Sequence, residues 1–300
     1  MLPGNYWALF DTFDEAALRW LKDQSHKSSI KGDASKIRRL RPFFVNTQLH
    51  KITADQCKKA VLEAAPEAGK ATHNRYLALL RALLRKAEKE WDWIEKAPHI
   101  SLFHEATCRI RWITPEEAQR LISFLPKHLV PVVQIALATG LRRSNVYGLK
   151  WDQINMQKHI AWIHPDEAKA RRAIGVPLNK TAIEALLSRL GKHHEFVFTF
   201  RGKPLKGVSD SAFKKACQLA GIQDFRFHDL RHTWASWLIQ AGVGLAELQK
   251  LGGWETMAMV MRYAHLAPDH LRKHTWHIDN LMADFSHTEE TSPNLERKIA

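Results

Sequence analysis

The chain lacks the features of several large functional classes. Its three cysteines, Cys57, Cys108 and Cys217, lie far apart in 300 residues and show no CxxC spacing. That argues against a disulfide framework or a zinc knuckle and fits a reducing compartment. No apolar run approaches the roughly 20 residues needed to span a bilayer, and the N-terminus has no basic stretch leading into an apolar one. Neither membrane insertion nor secretion is expected, and the expected location is the cytoplasm. A Walker GxxxxGK[ST] loop is missing, as is a carboxylate cluster suited to two divalent cations. Acidic residues are outnumbered: 45 Lys and Arg face 31 Asp and Glu, for a formal net charge of +14. The excess is spread over both halves of the chain, and such a field favours an anionic partner, most commonly nucleic acid.

Hydrophobic spacing divides the chain. Residues 13–95 read as helices throughout: Phe13, Ala17, Trp20 and Leu21 at helical spacing, a basic segment over Lys36–Phe44, a helix opened by Thr53, and a long one over Thr72–Trp91. In the last, Tyr76, Leu79, Leu80, Leu83 and Leu84 form an apolar stripe surrounded by Arg75, Arg81, Arg85, Lys86 and Lys89. Residues 97–112 lose this periodicity and read as a linker. Thr114-Pro-Glu-Glu then starts a helix with a cap, a first-turn proline and dipole-matched acids. Helices over Val130–Thr139, Thr181–Leu190 and five later segments enclose strands at His159–Ile163, Ala173–Leu178 and Glu195–Phe200. The expected fold is mainly α with a small β-sheet: a helical domain over 1–105, an α+β domain over 110–285, and a polar tail over 286–300.

Four segments carry chemistry-bearing residues. HDLRHTWASWLIQAG, residues 228–242, places His228 and Arg231 on one helical face. His228 and His232 are four apart, so a zinc pair is conceivable, but the glutamate of HExxH is replaced by Asp229 and no third ligand is evident. ATGLRRSNVYGLKWDQI, residues 138–154, sets Arg142 after a glycine break at a helix start. EAKARRAIGVPL, residues 167–178, puts Lys169 in a hairpin loop, and LGGWETMAMVMRYAHL, residues 251–266, places Tyr263 in a short helix.

In this order the segments resemble the tyrosine recombinase family, particularly the phage and prophage integrases. Arg142 matches the first family arginine, Lys169 the hairpin lysine, His228 and Arg231 the HxxR pair, and Tyr263 the nucleophile. Trp254 stands where most members have histidine, nine residues before Tyr263. Asn145 replaces the acid the family commonly carries three residues after its first arginine, which places full activity in question. The resemblance implies a DNA strand transferase acting through a 3′-phosphotyrosyl link at Tyr263. Arg142 and Arg231 would hold the phosphate oxygens, His228 would take the phenol proton, and Lys169 would protonate the leaving 5′ oxygen. The covalent link conserves the phosphodiester, so neither ATP, a metal nor another cofactor is expected.

The resemblance further implies double-stranded DNA as substrate, a clamp formed by a core-site-binding helical domain and the catalytic domain, and a homotetramer on DNA. Accessory DNA-bending proteins and a nucleoid association would follow. The expected role is integration or excision of a phage or mobile element. Alternatives are dimer resolution of the Xer type, type IB topoisomerase-like relaxation, and a DNA-binding relative with impaired catalysis. The sequence begins almost directly at the helical domain, so either a minimal integrase or one whose N-terminal arm-binding domain was lost is expected. The amphipathic segment 267–284 is expected to dock on a neighbouring subunit, with packing on its own subunit as the alternative.

Overall fold

Helix ends set the frame of the N-terminal unit. In the computed structural model the described residues are 12–105, 110–164, 173–205, 210–266, 275–279 and 281–282. The chain divides into two compact units, Met1–Cys108 and Arg109–Ala300. In the first, Thr12 and Thr53 each close a capping box, with Glu15 and Gln56 respectively, at the starts of α1 (Phe13–Asp23) and α3 (Ala54–Ala64). The intervening α2 runs Ile30–Leu40. The basic segment expected from Lys36 onward therefore begins a turn and a half earlier. It also stops sooner, because Pro42 lacks an amide donor and the chain tightens into a 3-10 turn over Arg41–Phe43. The long helix α4 spans Lys70–Lys89 and buries Tyr76, Leu79, Leu80, Leu83 and Leu84, together with Leu77. They pack with Phe13, Leu40, Phe44 and Leu49 in one core. Arg75, Arg85 and Lys89 are exposed on α4, whereas Lys86 pairs with Asp23 and Glu90.

The second unit is built around two buried helices. Thr114 caps α5 (Pro115–Ser123) through a capping box with Glu117. α6 (Val130–Thr139) is apolar on nearly every side and is covered by α8 (Lys180–Leu187) and α10 (Asp229–Gln240). α7 (Arg143–Tyr147) is a short helix between α6 and the sheet. The strands β1 (Ile154–Asn155), β2 (Ile160–Ile163) and β3 (Ile174–Pro177) form an antiparallel sheet in that order. Register pairs Ala161 with Val176 and Trp162 with Gly175. The strand expected over Glu195–Phe200 shortens to β4 (Thr199–Phe200), paired with β5 (Lys203–Pro204) around a turn at Arg201 and Gly202. α9 (Asp210–Leu219), α11 (Leu245–Gly252) and α12 (Ala258–Met261) complete the described helices. Most of segment 267–284 lies outside the described residues, as does Lys169. Among the described residues no helix is long and apolar enough to cross a membrane.

α10 is buried continuously from Leu230 to Ser236, polar residues included. Such a helix must satisfy its polar side chains inside the protein. Thr233 Oγ1 donates to Asp229 O at 2.9 Å and accepts from Ile113 N at 3.3 Å. Trp237 Nε1 donates to Ile113 O at 2.9 Å. These bonds hold α10 against the strand-like entry to α5. The crossing with α6 is set by Gly140, which ends α6 in the left-handed region at φ 61°. A Cβ there would lie 2.2 Å from the Trp234 ring. Gly140→Ala is therefore expected to destabilise the second unit by about 2–5 kcal/mol, from left-handed strain plus overpacking. Urea or thermal melts check this, and an unchanged midpoint would show that the ring can move aside at no cost.

Candidate active site

An arginine in the middle of a buried helix needs acceptors. Arg231, 6% exposed, finds two backbone carbonyls. Nη1 donates to Gly140 O at 2.5 Å and Nη2 to Gly252 O at 2.6 Å. Its guanidinium also lies over the Trp254 ring, 4.1 Å from the centroid. Arg142 sits at the N-cap of α7 and donates from Nη2 to Gly253 O at 3.4 Å. Both guanidiniums thus converge on the C-terminal end of α11, where unsatisfied carbonyls carry partial negative charge. The glycines make the approach possible. A Cβ on Gly252 would stand 2.0 Å from the Trp254 ring, so only glycine lets the indole fold back over the helix end toward Arg231.

Two like charges in such a place are costly. Burial pushes Arg231 down to about 9, and the neighbouring Arg142 charge adds to the effect while Tyr263 opposes it. Burial also lowers Arg142. Among the described residues neither has a carboxylate partner. A pair of partly desolvated cations held by neutral carbonyls leaves N–H donors for an arriving anion, and the planar fork suits a phosphate.

Tyr263 follows α12 and is 1% exposed. It packs in a small cluster with Trp234, Ile239, Leu248 and Val260, and its ring lies 5.9 Å from that of Trp254. Its hydroxyl is 2.7 Å from His232 Nδ1. His232 is itself buried on α10, one position beyond Arg231. The ring of His228, at the N-cap of α10, stands edge-on to His232 at 5.3 Å between centroids. Burial, reinforced by His228, Arg262 and Arg231, drives the His232 imidazole down to about 4. It is a neutral ring at physiological pH.

Arg142, His228, Arg231, Trp254 and Tyr263 therefore line one region of the second unit. Lys169 lies outside the described residues. Trp254 forms a wall: the Arg231 guanidinium lies over its ring, Trp234 stacks on it and Tyr263 packs against it at a tilt. Asn145 is buried, and the Ser144 hydroxyl donates to its Oδ1 at 3.5 Å. Sequence reasoning assigned proton removal to His228 and considered His232 only as a zinc ligand. The structure places a ring nitrogen of His232 on the phenol. The spacing already held the clue, since residues 228 and 232 share one helical face.

The depressed His232 has a consequence for stability. Its unfolded value is near the usual histidine value of 6.5 and its folded value is about 4. The unfolded chain thus binds the proton more readily, and this contribution is full above about pH 6.5 and lost as the pH falls toward 4. His232→Asn is expected to flatten that acid limb. Urea melts of both proteins at several pH values check it, and parallel acid limbs would contradict it.

Comparison with known proteins bears on the same residues. The model of the phage integrase family matches residues 111–270. The integrase of Salmonella phage P22 is 41% identical over 95% of this chain and 84% of its own length. The integrase of Escherichia phage 186 is 30% identical over 68% of this chain and 59% of its own. Among solved structures, a lambda integrase dimer bound to a COC′ core site has a TM-score of 0.71 at 20% identity, covering 84% of this chain and 77% of that one. The Tn1549 transposon integrase in complex with a circular intermediate DNA also has a TM-score of 0.71, at 19% identity, covering 83% of this chain and 94% of that one. The family match spans every segment from Arg142 to Tyr263, and this chain belongs to the phage integrase family of tyrosine-type site-specific recombinases.

Proposed function

We propose that this recombinase cuts and rejoins DNA with Tyr263 as its nucleophile. The observation that supports this most directly is the grouping of a buried phenol, hydrogen-bonded to a neutral histidine, with two guanidiniums that have no carboxylate partner among the described residues. The scissile phosphate occupies the position between them. Arg142 and Arg231 donate to its non-bridging oxygens, where charge grows in the transition state, so they bind that state more tightly than the ground state. Tyr263 Oη attacks phosphorus and the 5′ oxygen leaves, with Lys169 as its proton donor. The 3′-phosphotyrosyl link then awaits a 5′-hydroxyl from the partner strand. His228 and His232 form the histidine wall that receives the phenol. Because Tyr263 is 1% exposed, its hydroxyl meets a phosphate only when the side chains around it part on DNA binding.

The N-terminal helical unit serves as the core-site-binding domain. Exposed Arg75, Arg85 and Lys89 supply phosphate contacts that position the duplex. Strand exchange joins two duplexes and calls for four copies on DNA. Trp276, Ile278, Leu281 and Met282 are all more than half exposed, an apolar set suited to assembly with a neighbouring copy. Relatives that are phage integrases favour integration and excision as the biological outcome.

A nicked duplex that traps the covalent product tests this reading. The wild type is expected to accumulate a protein–DNA adduct, Tyr263→Phe to form none while still binding DNA, and Arg231→Lys to slow adduct formation by about 10²-fold or more, since an oxyanion donor is lost. An adduct that persists in Tyr263→Phe would overturn the assignment of the nucleophile.

A further inference from the structure

We propose that His232 is the proton acceptor for Tyr263, its Nδ1 carrying the lone pair to which the phenol donates. The inference rests on Tyr263 being the nucleophile. Geometry supports it first: Nδ1 lies 2.7 Å from Oη, within the range required of a general base. The two groups come from different elements, α10 and the segment after α12, and both are buried, so their hydrogen bond is formed before DNA arrives. Position supports it second. His232 adjoins Arg231 in sequence, so the residue that holds the phenol and a residue that grips the phosphate move as one rigid helix.

The charges around His232 say when it acts. His228 and Arg231 face it from its own helix, and Arg262 and Tyr263 from the segment packed against it. Burial first, and then His228, Arg262 and Arg231, hold the free ring to about 4. A base that weak does not ionise a phenol, so Tyr263 stays protonated without DNA. A phosphate seated on Arg231 and Arg142 offsets the Arg231 charge and brings a negative charge beside the ring, so the basicity of His232 rises as the electrophile arrives. The step then balances. The Oη–P bond forms, the Oη proton passes to Nδ1, the P–O5′ bond breaks, and the 5′ oxygen takes its proton from the acid on the opposite side. On rejoining, the imidazolium returns its proton to Oη as the phosphotyrosyl bond breaks. Activation of the nucleophile is in this way conditional on occupancy of the arginine pair, which protects the DNA-free enzyme from reaction with stray electrophiles.

Single-turnover cleavage of the nicked duplex, followed from about pH 5 to 9, is the test. His232→Asn keeps an acceptor oxygen near the Nδ1 position but takes up no proton. Its adduct rate is expected to fall by about 10²-fold or more with DNA binding retained, and to climb with pH where the wild type is level. A duplex with a 5′-bridging sulfur, whose leaving group needs no acid, is expected not to restore it. Equal rates and equal pH profiles for wild type and variant would overturn the role of His232, while leaving Tyr263 in place. A wild type that forms no adduct at Tyr263 would overturn both. ¹⁵N spectra of histidine-labelled wild type decide the point even if the variant fails to fold: a bare Nδ1 is expected, and a protonated Nδ1 would exclude His232 as acceptor.

Discussion

The geometry of the second unit turns on one cation that has been taken out of water. Arg231 is held by the carbonyls of Gly140 and Gly252, which belong to the ends of two different helices. An unsatisfied guanidinium in that position would cost several kcal/mol, so α6, α10 and α11 must meet where those carbonyls are within reach. The glycines follow from this. Gly140 lets the Trp234 ring lie against the end of α6, and Gly252 lets Trp254 cover the guanidinium. The same bonds that fasten the helices bring the Arg231 and Arg142 guanidiniums to one helix terminus, so a structural constraint and the proposed phosphate site share their atoms.

A charged group stored without a counterion is a poor source of stability and a good receptor for an anion. Burial and then the Arg142 charge depress Arg231, and burial, reinforced by His228, Arg262 and Arg231, holds His232 neutral. An incoming phosphodiester would offset the two arginine charges. In the proposed mechanism, binding energy from the phosphate therefore does more than position the substrate, since it raises the proton affinity of the group beside Tyr263. Desolvation strengthens each effect, because Tyr263, His232 and Arg231 are all buried.

Much of the fold was legible because its signals are local. Thr12, Thr53 and Thr114 begin helices through bonds to residues three positions on, and the apolar stripe of α4 follows a 3.6-residue period. Errors arose where the controlling contact is distant or the pattern is short. Ile30–Asp33 lies in a polar, glycine-containing stretch that gains its helical state from the surrounding unit, and β1 and β5 are two-residue strands that exist only through their partners. The site divides in the same manner. Arg142, His228, Arg231, Trp254 and Tyr263 stand out by residue type and order. His232 did not, because its role depends on the phenol from a segment 31 residues away.

By itself the amino-acid sequence determined the helical periodicity, the caps, the basic charge and the order of the reactive side chains, all of which are properties of neighbours along the chain. Only the tertiary structure decided which histidine meets Tyr263, why the GGW run needs its first glycine, and that the two arginines end at the same helix terminus. Those outcomes depend on how α6, α10 and α11 pack. Packing is settled by the need to satisfy a buried guanidinium and to fit the Trp234 and Trp254 rings, and no local pattern encodes either requirement.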